Sequence, residues 1–330
     1  MFDCLMHHNS FVRLEAQLKP FADHISPLTI TDSEQIGRPW GETATDGLIA
    51  YGNADVWFSP ASRAFARTLY TAPKLVWFQS SAAGLENPFL QKVGEKAEHY
   101  TSSHVQSDAI AEWVLWAAFD WFGNGAQRRD AQARKEWERV HFREISATRW
   151  LIFGFGHIGE AVGRRIKGLG GHVTGVRRTG HVSPFADHML HPDHVSPDDI
   201  ALADAVLLCA PHTPQTESMA DAGFFAAMKE GSLFMNVGRG ALVDEGALLA
   251  ALDRGRPAHA ALDVTREEPL SSDSPIWTHP NVTLTAHTSA LTSESRARND
   301  ELFLENLGNF ANGNPLRNRV RREAFEAQMV

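Results

Sequence analysis

Residues 150–178 read WLIFGFGHIGEAVGRRIKGLGGHVTGVRR, and this stretch decides the fold. The apolar run 150–153 predicts a buried parallel strand, since a strand covered on both faces has no polar side to show. Gly154, Gly156 and Gly159 follow in GxGxxG spacing, then an amphipathic helix with Ile158, Ala161, Val162 and Ile166, then a second strand over 172–176. Glycines so placed supply a tight turn, a close approach of backbone to a diphosphate, and close packing of helix on strand. The diphosphate would rest on the helix N-terminus, where the amides and the peptide dipole favour an anion. A glycine-rich turn alone is a weak signal; flanked by strand, helix and strand, it points to a nucleotide site.

Just past the second strand, an NAD-type site expects an acid that bonds the ribose 2′-hydroxyl. Arg177, Arg178 and Thr179 stand there instead. Guanidiniums attract a 2′-phosphate, so the expectation is NADP(H) by preference. If both arginines face solvent, NAD(H) is used instead.

Outward from this unit, the alternation of strand and helix continues in both directions. Strands are expected at 205–209, 232–237, 258–264 and 282–285, with a helix over 244–254 capped by Asp244. Polar or charged residues recur just past the carboxyl ends of these strands, where open α/β sheets bind ligands. Upstream, 4–7, 28–31, 54–58 and 75–79 read as strands, and 11–21 and 62–69 as helices. That alternation implies a second, mainly parallel sheet with helices on both faces. Residues 106–122 form a strongly apolar helix with Trp113, Trp116, Phe119 and Trp121, which needs burial from more than one direction. Residues 124–143 read as a polar helical arm, 293–312 as a closing helix, and the tail beyond as charged and partly exposed.

Composition bounds the rest. The 330 residues allow two domains of ordinary size, and 43% hydrophobic with 22% charged is a globular balance. A net charge of −9 disfavours nucleic acid and acidic membrane surfaces. No run approaches the length of a membrane span, and MFDCLMHHNS lacks the basic-then-apolar order of a signal peptide. Cys4 and Cys209 form no CxxC pattern and no disulfide framework, which fits a reducing cytoplasm, and the scattered histidines give no metal site.

Three residues could carry chemistry. Arg239 lies between two glycines after an apolar strand, where backbone crowding is expected to be low and a guanidinium could grip a carboxylate by two bonds. Taken alone it reads equally as a solvated surface arginine. His287 follows the last strand and suits proton transfer near neutral pH; alone, it reads as a packed histidine. Glu268, before Pro269, could orient an imidazole and stabilise its cation; alone, it reads as a surface glutamate. Each lies beyond a strand of one predicted sheet, and together they gain weight. The segment 79–84, QSSAAG, also follows a strand and could offer backbone N–H groups to a carboxylate, or be an ordinary strand-to-helix turn.

Read in order, GFGHIGEAVG, APHTPQTE, NVGRGALVDEGALLAAL, AALDVTREEPL and AHTSA resemble the motifs of the D-2-hydroxyacid dehydrogenase family over residues 105–291. The amino-terminal third matches more loosely, through Ala83-Gly84 and the helix at 109–112. The resemblance implies two Rossmann- or flavodoxin-like doubly wound domains with the active site in the cleft between them. Residues 1–102 with 289–330 would form the substrate domain, and 103–288 the dinucleotide-binding domain. It implies a hydride exchanged between a nicotinamide and a small 2-oxo acid of the glyoxylate or hydroxypyruvate kind, giving the D-2-hydroxy acid. Arg239 would bind substrate, His287 would pass the proton, and Glu268 would raise the basicity of His287. Ala83 and Gly84 would grip the carboxylate. The cofactor would meet Gly154, Gly156, His157, Ile158, Gly159, Arg177, Arg178, Thr179, Ala210, Pro211, Thr216, Val237, Gly238 and Asp263. A homodimer built partly on the helix after residue 105 is implied as well. Leu85-Glu86 and Thr265 depart from the common family pattern, and the first leaves the substrate pocket open. A nucleotide-sensing binding protein on the same fold is the competing class; retention of Arg239, Glu268 and His287 argues against it.

Overall fold

The structure is a computed structural model that describes residues 1–82, 84, 87–180 and 182–326, without the side chains of Ala324 and Glu326. The chain divides into two compact units, Met1–Val105 with Thr292–Val330, and Gln106–Leu291.

The first unit holds β1 (Phe2–His7), β2 (Ile25–Ile30), β3 (Ile36–Gly37), β4 (Leu48–Gly52), β5 (Leu75–Ser80) and β6 (His99–Thr101). They lie in the order β3-β2-β1-β4-β5-β6, all neighbours parallel except β2 and β3. Successive side chains go to opposite faces: Leu5, Leu28, Ala50 and Phe78 enter one core, and Cys4, Met6, Ile49 and Tyr51 the other. The helix Ser293–Ala311 closes the second core by laying Phe303 flat on Tyr51, ring centroids 4.3 Å apart.

One expectation fails in this unit. Residues 54–58 are a helical turn, Ala54–Trp57, and the strand lies earlier, as β4. Local β propensity favours Val-Trp-Phe, but pairing decides, and the five residues of β4 are all buried between β1 and β5. The tail is partly exposed, as expected, and Phe325, 4% exposed, meets Tyr100 edge-on at 5.0 Å.

The second unit holds β7 (Arg149–Phe153), β8 (His172–Val176), β9 (His188–Leu190), β10 (Ala205–Leu208), β11 (Leu233–Asn236), β12 (His259–Leu262) and β13 (Val282–Leu284). Every pair is parallel, in the order β13-β12-β11-β10-β7-β8-β9. Leu151, Phe153, Val206, Leu208 and Phe234 fill one face, while Trp150, Ile152, Ala205, Leu207 and Met235 fill the other. Continuous apolar runs suit a sheet buried on both sides. The winding reverses between β7 and β10, so the crevice for a ligand lies beyond their carboxyl ends.

The helix Ser107–Phe122 buries Ile110, Ala111, Val114, Ala118 and Phe122 against the second of these cores. Its other side is half open among the described residues: Trp116 is 49% and Phe119 51% exposed. The expected polar arm is helical only over Gly125–Ala133; Lys135, at φ 60°, turns the backbone out of the helix.

Candidate active site and dinucleotide loop

The three glycines after β7 have three different causes. Gly154 has φ 89°, and a Cβ there would sit 2.4 Å from the Ala210 nitrogen, so the loops after β7 and β10 touch through their backbones. A Cβ on Gly159 would lie 2.8 Å from the Gly154 oxygen, which is helix packed against turn. Gly156 has nothing of the protein within 4 Å of its Cβ position. No neighbour in the chain requires that glycine, and the space beside it lies at the start of the helix His157–Gly168. An anion brought close to backbone amides is what such an opening accommodates, so the loop fits a dinucleotide diphosphate.

Around the turn, Ile158 packs partly into the core while His157 is exposed. The Cys209 thiol donates to the Gly154 carbonyl at 3.2 Å, and burial pushes its pKa up to about 12. It is therefore a neutral thiol that braces the loop. Beyond Ala210 and Pro211, Thr216 closes its own turn: its hydroxyl donates to the Pro211 oxygen and accepts from the Thr213 amide, both at 2.8 Å.

Arg177, Arg178 and Thr179 do not act alike. Arg177 is 18% exposed and folds back on the glycine turn, donating to the Phe155 oxygen at 3.1 Å and the Thr179 oxygen at 3.1 Å, with Glu160 at 3.3 Å. Arg178 and Thr179 are exposed.

On the other side of the switch, Arg239 follows β11, itself half-buried between buried Gly238 and Gly240, and its Nη1 donates to the Gly238 oxygen at 2.7 Å. The expectation of low backbone crowding is wrong here, and instructively so. A Cβ on Gly240 would fall 1.9 Å from the Thr265 carbonyl carbon, and one on Gly238 2.8 Å from the Ala210 oxygen. The glycines are needed because neighbouring loops press against this one, Val237 and Gly238 both being buried in it. Asn236, fully buried, secures the loop by accepting from the Gly238 amide at 3.0 Å and donating to the Arg239 oxygen at 2.9 Å. Nothing in the apolar strand pattern had singled out Asn236.

His287 and Glu268 meet. Nδ1 of His287 lies 2.8 Å from Oε2 of Glu268, the two side chains being 50% and 39% exposed. The other carboxylate oxygen accepts from the Thr265 amide at 3.2 Å. His287 has φ 54°, a region costly for a residue with a Cβ, so the turn must be held from outside. Asp263, 1% exposed, does this: its carboxylate accepts from Thr285 Oγ1 at 2.6 Å, Thr288 N at 2.8 Å, and Ser289 N and Oγ, while its carbonyl takes the His287 amide at 2.7 Å. A buried carboxylate is tolerable only with such donors, and here they shape the turn that presents the imidazole.

In the first unit, Ala83 and Leu85-Glu86 lie outside the described residues. Of the rest of that segment, the Ser81 amide donates to the Gly52 oxygen at 2.8 Å and the Ala82 amide to Ser80 Oγ at 3.0 Å. Both are spent on the fold, so the anion grip expected of the segment narrows to half-buried Gly84 among the described residues. Among those residues, no cluster of three His, Cys, Asp or Glu could hold a metal ion, and no helix is long and apolar enough to cross a membrane.

Comparison with known proteins adds three findings. Residues 115–289 match the model of the D-isomer specific 2-hydroxyacid dehydrogenase NAD binding domain. Relatives include D-3-phosphoglycerate dehydrogenase 2, chloroplastic, of Arabidopsis thaliana, 40% identical over 52% of this chain and 28% of that protein. Glyoxylate/hydroxypyruvate reductase B of Klebsiella pneumoniae strain 342 is 34% identical over 63% of this chain and 59% of its own length. The chain thus spans less than two thirds of these curated relatives. A solved NADPH-dependent glyoxylate/hydroxypyruvate reductase from Sinorhizobium meliloti, in complex with NADP and sulfate, aligns with TM-score 0.77 at 22% identity, over 98% of this chain and 99% of that one. At that identity the likeness is one of fold: two parallel-sheet α/β domains.

Proposed function

The chain belongs to the D-isomer specific 2-hydroxyacid dehydrogenase family, and from that premise we propose that it reduces a small 2-oxo acid, of the glyoxylate or hydroxypyruvate kind, to its D-2-hydroxy acid with NADP(H). The observation that carries the proposal is the 2.8 Å bond between His287 and Glu268, the segment of Glu268 being packed at Thr265 against the loop that bears Arg239.

When bound, the nicotinamide supplies a hydride to the carbonyl carbon. The remaining steps fall to the chain. Arg239 binds the carboxylate and offsets the charge that develops on the carbonyl oxygen. His287 gives that oxygen a proton, so hydride plus proton complete the reduction. Glu268 accepts from Nδ1 of the imidazole, which leaves Nε2 to carry the transferable proton, and it stabilises the imidazolium in the reverse direction. The 154–159 turn, with His157 and Ile158, would hold the diphosphate, and Ala210, Pro211, Thr216, Val237, Gly238 and Asp263 belong to the loops that complete the cofactor site. Gly84 would contribute to the carboxylate grip.

For the choice of cofactor, the support is the absence of an acid after β8 and the exposure of Arg178 and Thr179 in its place. NAD(H) is the second choice. A turnover ratio of NADPH to NADH below one defeats the preference.

We also assign a homodimer, in which the face bearing Trp116 and Phe119 is covered by the second copy; light scattering on the purified protein reads this directly. A cytoplasmic setting accords with two unpaired cysteines.

The test of the activity is NADPH oxidation with a panel of 2-oxo acids. The wild type should turn over, and His287→Ala should lose about 10²–10³ in kcat, the scale for removing one preorganised partner of the developing charge. A wild type that binds the dinucleotide yet stays inert across the panel would make it a nucleotide sensor instead.

A further inference from the structure

We infer that Arg266 is a positioning residue, whose guanidinium pins the loop bearing Arg239 and the 217–218 turn to the segment bearing Glu268, and so holds the Glu268–His287 pair in register. The inference rests on the acid–base reading of that pair given above.

Arg266 binds two other stretches of chain, 217–218 and 241–245. Its Nη1 donates to Glu217 Oε1 at 2.6 Å, and its Nη2 lies 2.7 Å from Ser218 Oγ, 3.1 Å from the Ala241 oxygen and 3.0 Å from the Val243 oxygen. Its backbone amide donates to Glu245 Oε1 at 2.7 Å. Glu217 continues the chain of contacts to His212 Nε2 at 2.5 Å. The bond from Arg266 is the main reason that the Glu217 carboxyl lies below its ordinary range. These loops follow β10, β11 and β12, and they carry Thr216, Arg239 and Glu268 respectively.

The geometry explains why a clamp is needed there. Glu268 is 39% exposed and, apart from His287, only the Thr265 amide is seen holding its carboxylate among the described residues. His287 is held from the opposite side by buried Asp263, which leaves Glu268 as the looser member of the pair. Thr265 sits directly against Gly240, so the 238–243 loop and the 265–268 segment can shift only together. Arg266 joins both to Glu217 with one planar fork. Its 41% exposure makes it a poor source of stability, since exposed ion pairs contribute little. Its effect is on geometry, where a displacement near 1 Å lowers a rate by about a hundredfold. An ammonium has the charge but not the fork, and could satisfy only some of the four acceptors.

The test compares the wild type with Arg266→Met, Arg266→Lys and Glu217→Gln. Arg266→Met should lower kcat about ten- to a hundredfold and move the pH–rate profile, while NADPH binding by fluorescence titration changes less than about threefold. Arg266→Lys should recover part of kcat, and Glu217→Gln should give a smaller loss that does not add to that of Arg266→Met. Without cofactor, hydrogen exchange should quicken over 239–243 and 264–268 in Arg266→Met. Wild-type kcat and pH profile in Arg266→Met overturn the inference, and so does an equal loss of kcat, NADPH binding and melting temperature. An inert wild type with quickened exchange in the variant would instead leave the clamp standing and defeat the activity.

Discussion

The two units wind their sheets alike yet use the crevice at the winding reversal in opposite ways. In the first unit the reversal lies between β1 and β4, and the chain fills it with its own side chains. Ser10, wholly buried, accepts from Asn53 Nδ2 at 3.0 Å and donates to Asp55 at 2.7 Å. Arg13 joins Asp55 at 2.8 Å to Asp300 at 2.5 Å, and Asp300 also accepts from Tyr51 at 2.9 Å. In the second unit the reversal lies between β7 and β10, and the turn there leaves open space at Gly156. Topology therefore makes a crevice in both, and residue chemistry decides whether it is plugged or left for a ligand.

The comparison breaks most visibly if the plug is not structural. Asp300→Ala leaves the Tyr51 hydroxyl without its acceptor and strips half the carboxylate partners from Arg13. Removing one member of a buried ionic network typically costs about 3–5 kcal/mol. The expected result is a melting transition lower by many degrees, with dinucleotide affinity in the second unit retained. An unchanged melting temperature would mean that the plugged crevice is incidental.

The contrast also accounts for what was legible in the sequence. The open crevice announces itself because GxGxxG is local: strand, turn and helix are contiguous, Gly159 answers to the Gly154 oxygen, Gly154 to the loop after β10, and Gly156 to open space. Strands β7, β8 and β10 to β13 followed from the alternation of strand and helix, while β9 was not foreseen and the action of Glu268 on His287 was implied by the family resemblance. The plug is illegible because it joins residues 10, 13, 53, 55 and 300, which no spacing rule connects. The strand β4 was missed for a related reason, since its weak apolar signal is overridden only by its place between β1 and β5. Asn236 and Arg266 escaped notice because a buried asparagine at a strand end and an exposed arginine in a loop look ordinary until the loops are assembled.

A sharper test replaces the residue that has room. Gly156→Ala should fold with almost the stability of the wild type, because among the described residues nothing beyond the adjoining chain lies within 4 Å of the added methyl. Dinucleotide binding should nonetheless weaken roughly a hundredfold, or about 2.7 kcal/mol, since the methyl enters the space at the helix start. If titration of Gly156→Ala with NADPH and NADH gives wild-type affinities, the opening is not where the diphosphate sits.

The smallest effect separates the units by pH. In the second unit, His259 stacks on Trp121 with centroids 5.0 Å apart and shares a hydrogen bond of 3.0 Å with Thr283. Burial pushes its pKa down to about 4, with His279 adding to the shift and Asp120 opposing it. An unfolded histidine takes its proton near pH 6.5, so between about 6.5 and 4 the unfolded chain binds more protons than the folded one. Stability therefore falls as pH drops through that window and is unaffected above it. In the first unit, burial would raise the Asp55 carboxyl, but Ser10 and Arg13 outweigh burial and hold it below its ordinary range. Its contribution is present above about pH 3.9 and is lost only as pH falls below that. Acidification from pH 7 to 5 should thus remove about 1–2 kcal/mol through His259 and almost nothing through Asp55. Urea midpoints at the two pH values read this, and His259→Gln should abolish most of the difference. An equal pH dependence in that variant would place the acid sensitivity at another group, such as His99 of the first unit, whose pKa burial also lowers.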